Sequence, residues 1–146
     1  MKIAIACDHG AYALKEAVKK HLTDKGYEVR DFGTDSAESC DYPDFAGPAA
    51  LAVAAGECEK GIVLCTTGIG VSITANKVRG IRCALLSDLL SARMTRQHND
   101  TNMMAMGAGI VGPNLALEIV DTWLTTEFEG GRHQRRVDKL MAYEGI

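Results

Sequence analysis

The sequence has five cysteines, Cys7, Cys40, Cys58, Cys65 and Cys83, but no C-x-x-C pair. That absence argues against a zinc ribbon and against a thioredoxin-like motif. No stretch reaches the roughly 18 to 20 uninterrupted apolar residues of a membrane span. The opening Met1-Lys2, five apolar residues and Asp8-His9 form too short a run for a signal peptide. The expected compartment is the reducing cytosol, where thiols stay unpaired. There is no excess of positive charge: the formal net charge is −3. No global field draws the chain to nucleic acid or to an anionic membrane, so an anionic ligand must be caught by a local cluster. Internal repeats, low-complexity segments and linkers are also lacking. What remains is a chain of 146 residues, 47% hydrophobic and 24% charged, which fits one globular domain over 1–146.

The apolar pattern alternates between two kinds of segment. Ile3–Cys7 is a short apolar run ending at Asp8-His9-Gly10, as in a buried strand. Ala13–Asp24 places Leu14, Val18 and Leu22 on one helical face. Strands are expected over Tyr27–Phe32, Gly61–Cys65, Ile81–Leu86 and Met103–Met106. Helices are expected over Phe45–Ala55, Val71–Val78, Ser87–His98, Leu115–Thr125 and Gln134–Tyr143. Gly47 and Pro48 place the start of the second helix late. This β-α alternation predicts an α/β fold: a parallel, Rossmann-like sheet between two helical layers. Ligands bind such sheets beyond the carboxyl ends of the strands.

Four segments carry chemistry. Cys65-Thr66-Thr67-Gly68-Ile69-Gly70-Val71-Ser72 follows a strand and enters a helix. Its glycines let several N–H groups point into one space, and the helix adds its positive end. An anion suits that place, and so does a thiolate at Cys65. The loop is no Walker loop, since G-K-[ST] is absent, and it lacks the third glycine of the dinucleotide fingerprint. Asp8 can accept from sugar hydroxyls, and His9 can contact phosphate or transfer a proton. Arg96-Gln97-His98-Asn99-Asp100-Thr101-Asn102 is a dense polar run in which His98 can act as an acid and Asn99 can bind a hydroxyl. Arg132 and Arg136 lie four apart, on one face if helical, where two guanidinium forks suit a phosphate dianion. Taken singly, each segment also has a bland reading: a tight connection, a helix cap, a polar loop, a basic surface. Met94, Met103, Met104 and Met106 read as packing, Cys7, Cys58 and Cys83 as inert, and His21 and His133 as solvated.

Taken together and in order, these segments resemble the ribose-5-phosphate isomerase B family, which includes the galactose-6-phosphate isomerase subunits. The strings are CDHGAYALK at 7–15, DYPDFA at 41–46, GIGVSITANK at 68–77, SARMTRQHNDTNMMAMG at 91–107 and EGGRHQRRV at 129–137. The resemblance implies an aldose-ketose isomerase acting on a phosphorylated sugar, most simply ribose 5-phosphate to ribulose 5-phosphate, with no cofactor and no metal. It implies a homodimer or a dimer of dimers with the site at the subunit interface. It makes Cys65 the base between C2 and C1, with Thr67 shuttling protons on the sugar oxygens. The backbone of Gly68, Ile69, Gly70, Val71 and Ser72 would hold the cis-enediolate. His98 would open the ring, Asp8 and Asn99 would position hydroxyls, and Tyr42 would line the substrate. His9, Arg132 and Arg136 would hold the phosphate.

Two positions depart from the family pattern. Thr66 stands where members commonly have glycine, and Gly109 stands where many have arginine. Both bear on the substrate more than on the reaction. The alternatives are the same reaction on allose 6-phosphate, galactose 6-phosphate or a tetrose phosphate, and a binding module without turnover. A redox thiol protein is weaker still, since no resolving cysteine neighbours Cys65.

Overall fold

The structure is a computed structural model that describes residues 1–145. Five strands form it: β1 (Lys2–Cys7), β2 (Glu28–Asp31), β3 (Lys60–Cys65), β4 (Cys83–Leu85) and β5 (Met103–Gly107). Six α-helices connect and follow them: α1 (Tyr12–Asp24), α2 (Pro43–Ala54), α3 (Ile69–Asn76), α4 (Leu89–Asn99), α5 (Pro113–Thr125) and α6 (Arg132–Met141). Every pairing is parallel and the order is β2-β1-β3-β5-β4. The expected α/β architecture is therefore present, with helices on both faces.

The period-2 rule explains the two layers. Ile3, Ile5 and Cys7 point to one face with Ile62, Leu64, Met104 and Met106, where α1, α4 and α5 close over them. Ala4, Ala6, Val63, Cys65 and Ala105 point to the other, where alanine-rich α2 and α3 pack. Trp123 is fully buried on the first face, and its indole N–H donates to Thr101 Oγ1 at 3.0 Å. The edge strands are shorter than the alternation suggests. β2 and β4 span four and three residues, as edges exposed to solvent often do.

Two expectations about helices are corrected. α2 begins at Pro43 and continues through Gly47 and Pro48. Pro43 sits in the first turn, where its missing N–H costs nothing, and Pro48 removes only one bond near the helix start. The last helix starts two residues earlier than expected, at Arg132, and ends at Met141 before a 3-10 turn over Ala142–Gly145.

Candidate active site

Sequence order reverses between β1 and β3: the chain builds β2 on one side of β1, then crosses to place β3 on the other. That switch point opens a crevice at the carboxyl ends. Asp8 leaves β1 there and Cys65 ends β3, with Cys7 in register with Leu64. Asp8 Oδ1 accepts the Gly10 N–H at 2.9 Å, which caps the short turn entering α1. Helix capping and a place in the crevice are thus compatible for this residue.

The loop after β3 is built tightly. Gly68 takes φ 79, a left-handed conformation, and its Cα packs so closely on Leu85 and the β5 backbone that a Cβ would lie 2.6 Å from Leu85 Cδ1. Its N–H donates to Cys65 Sγ at 3.1 Å. The sulfur therefore sits at the entry of α3, where partial positive charge favours an anion. Ile69 N–H donates to Thr67 Oγ1 at 3.2 Å, and Ser72 N–H donates to Gly68 O at 3.1 Å. Among the described residues, the Gly70 and Val71 N–H groups have no intramolecular acceptor. They are the two donors at the start of α3 left for a ligand. Tyr42 lies against Gly70, where a Cβ would meet the ring at 2.3 Å. Asp8, Tyr42, Cys65, Thr66, Thr67, Ile69, Gly70 and Ile73 line one open cavity of about 440 Å³. His9 follows Asp8 on the β1 turn, its Nδ1 accepting the Cys40 N–H at 3.2 Å.

The second group of residues forms elsewhere on the chain. α4 runs through His98 and Asn99 and stops at Asp100, whose φ of 45 ends the helix. His98 and Asn99 line a separate cavity of about 400 Å³ with Leu85, Leu90 and Met94. Asn99 Oδ1 accepts from Thr95 Oγ1 at 3.0 Å. Arg96 is structural: it is buried, binding Asp100 Oδ1 at 2.9 Å and Thr101 O at 2.7 Å. Arg132 and Arg136 lie four apart on α6, as expected, both exposed and in no ion pair among the described residues.

His133 is buried rather than solvated. Its ring stacks on His98 at 4.3 Å between centroids, and its Nε2 lies 3.5 Å from Glu129 Oε1. Glu129 Oε1 is also 3.7 Å from His98 Nε2. Burial, with the charges of His98 and Arg132, pushes the His133 imidazole below its ordinary pKa. His21 is also partnered, with its Nε2 2.8 Å from Asp121. Glu129 and His133 were missed as neighbours of His98, although their i,i+4 spacing was readable. Of the cysteines expected to be inert, Cys7 and Cys58 are buried, and burial pushes both Cys7 and Cys83 up to about 12. Met103, Met104 and Met106 are fully buried, but Met94 is exposed.

A protein-family model described as Ribose/Galactose Isomerase matches residues 3–140. The fold overlays that of the Clostridium thermocellum ribose-5-phosphate isomerase B with a TM-score of 0.98 and 55% identity, covering 99% of this chain and 98% of the other. The Escherichia coli (strain K12) protein named ribose-5-phosphate isomerase B is 52% identical over 143 residues, 98% of this chain and 96% of that one. A Pectobacterium atrosepticum protein named D-erythrulose-4-phosphate isomerase is 43% identical over 145 residues, 99% and 95% of the two chains. With a family match over nearly its whole length and relatives above half identity, the chain belongs to the ribose/galactose isomerase family of sugar-phosphate isomerases.

Proposed function

We propose that this protein interconverts ribose 5-phosphate and ribulose 5-phosphate through a cis-enediolate, with Cys65 as the base. The observation that carries the reading is the seat of Cys65: its sulfur accepts the Gly68 N–H at the mouth of α3, beside two unengaged N–H groups. Removing a proton next to a carbonyl needs a base and a fixed partner for the oxyanion that forms. A positioned base contributes about 10²- to 10⁴-fold. One preorganised donor contributes roughly 3 to 4 kcal/mol. Gly70 and Val71 N–H supply the donors, and Thr67, directly after Cys65 and Thr66, moves protons between O1 and O2. Asp8 and Tyr42 line the same cavity and position the sugar.

Ring opening falls to His98, with Asn99 on a hydroxyl and His9, Arg132 and Arg136 on the phosphate. His98 and Cys65 line different cavities of one chain. A second copy that lays its α4 and α6 against the β3 turn would complete the site, so the working unit is a homodimer or a pair of dimers. The five thiols are unpaired, as a reducing cytosol keeps them. The proposed partner is a phosphorylated sugar; among the described residues no helix is long and apolar enough to cross a membrane.

A second reading keeps the chemistry and changes the sugar. A relative at 43% identity is named for a four-carbon substrate, and the matching family extends to galactose in its description. One assay tests both. Ketose formation is followed from ribose 5-phosphate and from four- and six-carbon aldose phosphates, with wild type and Cys65→Ala. Turnover of ribose 5-phosphate that falls at least about 10³-fold in the variant, with binding kept, is expected. A variant within tenfold of wild type removes Cys65 as the base.

A further inference from the structure

Three turns converge at the carboxyl edge of the sheet, one each after the neighbouring strands β1, β3 and β5. Each brings one residue to the same small space: Gly10, Thr66 and Gly109. A Cβ on Gly10 would lie 2.1 Å from Thr66 Oγ1. A Cβ on Gly109 would lie 3.2 Å from Thr66 Cγ2 and 3.1 Å from Thr66 O. Gly109 N–H donates to Thr66 O at 2.8 Å, which holds the β5 turn against the β3 turn. Neither Gly10 nor Gly109 has a positive φ. Backbone conformation therefore does not call for glycine at either place; Thr66 does, through its side chain at Gly10 and through its carbonyl and Cγ2 at Gly109. Of three positions sharing one space, only the one next to Cys65 fills it. Thr66 also lines the cavity that holds Cys65, Asp8 and Tyr42.

We propose that Thr66 is a specificity-determining residue whose side chain closes the cavity floor beside Cys65 and selects shorter sugar phosphates over six-carbon ones. The inference rests on the isomerase reading. A sugar phosphate is fixed at both ends, by its phosphate and by its reacting carbons at Cys65. An added carbon must find room at one end. At the Cys65 end the Thr66 side chain takes the space that a Cβ on Gly10 or Gly109 would need, so it is flanked on both sides by backbone. One misfitting methylene in a closed pocket changes kcat/KM by about 10- to 200-fold.

The test compares kcat/KM for ribose 5-phosphate and allose 6-phosphate in wild type, Thr66→Ala and Thr66→Val. Thr66→Ala empties the space without altering backbone freedom, and should shift the ratio toward the six-carbon sugar by about tenfold or more. Thr66→Val keeps the volume, and should hold the ratio within about twofold. A ratio unchanged in Thr66→Ala, or shifted equally in Thr66→Val, overturns the proposal. Thermal unfolding checks the shared space apart from activity. Gly10→Ala should lower Tm in wild type and lower it less in the Thr66→Ala background; an equal loss in both overturns it. Wild type that isomerises neither sugar overturns the isomerase reading itself, and the inference falls with it.

Discussion

At the scale of single residues, the glycines of the β3 turn do different work. Gly68 is needed for its positive φ and for close approach to β5. Gly70 lies within α3, and what needs it small is the Tyr42 ring. Gly70→Ala should therefore leave folding intact, because alanine is the better helix former by about 1 kcal/mol. Its methyl would instead push Tyr42 from the cavity wall. The expected result is a Tm unchanged or raised, with kcat/KM down by roughly tenfold or more. Unchanged kcat/KM would mean that Tyr42 does not shape the site. The thiols give a second check. Cys7 and Cys83, with pKa values pushed up to about 12 by burial, should resist iodoacetamide at pH 8 in the native protein, as read by peptide mass spectrometry. Early labelling of either would contradict their placement. The Cys65 turn was legible because glycine spacing and a preceding strand are local signals. The pairing of His98 with His133 was not, because stacking depends on how α6 lies against α4.

At the scale of elements, α1 is tied to the edge strand β2 by a buried charge. Lys15 is 1% exposed, and its Nζ binds Asp31 Oδ1 at 2.9 Å, Asp31 Oδ2 at 2.8 Å and Thr34 O at 2.7 Å. Burial opposes ionisation of Asp31, but hydrogen bonds from Lys15, the Gly33 N–H and Lys19 outweigh it and hold its pKa below the ordinary 3.8. A depressed carboxylate pKa stabilises the fold above the unfolded value, and that stability is lost as pH falls through the folded one. Acid unfolding below about pH 4 should thus be less steep in Asp31→Asn. The two partners should also differ when deleted. Asp31→Ala takes the two nearest carboxylate oxygens from a buried ammonium, leaving it Thr34 O at 2.7 Å and Glu16 Oε1 at 3.4 Å, and should cost about 3 kcal/mol. Lys15→Met leaves a carboxylate that still meets Lys19 at 3.0 Å, and should cost less. Urea unfolding measures both, and equal losses would refute the asymmetry. Strand and helix order was readable here because each element buries one periodic face. The start of α2 was not: Gly47 and Pro48 are poor helix residues by propensity, yet packing of Ala46, Ala49, Ala50 and Val53 on the sheet overrides them.

At the scale of the whole molecule, the proposed machinery is divided between two cavities. Cys65 and His98 line separate cavities. Around them Ile69, Ile73, Leu85, Leu89, Leu90 and Met94 are exposed on α3, α4 and the β4 edge. Exposed apolar side chains of this kind are what a covering partner would bury. If a second copy covers it, each site takes Cys65 from one chain and His98 from the other. Two dead variants should then rescue each other. Cys65→Ala and His98→Ala, each inactive alone, are mixed in equal amounts and allowed to exchange subunits. Half of the dimers become mixed, and each mixed dimer has one site with both residues intact. About a quarter of wild-type activity should return, growing at the rate of subunit exchange. With both residues drawn from the same chain, every site in the mixture lacks one of them and no activity returns. The amount recovered thus separates a shared site from two independent ones.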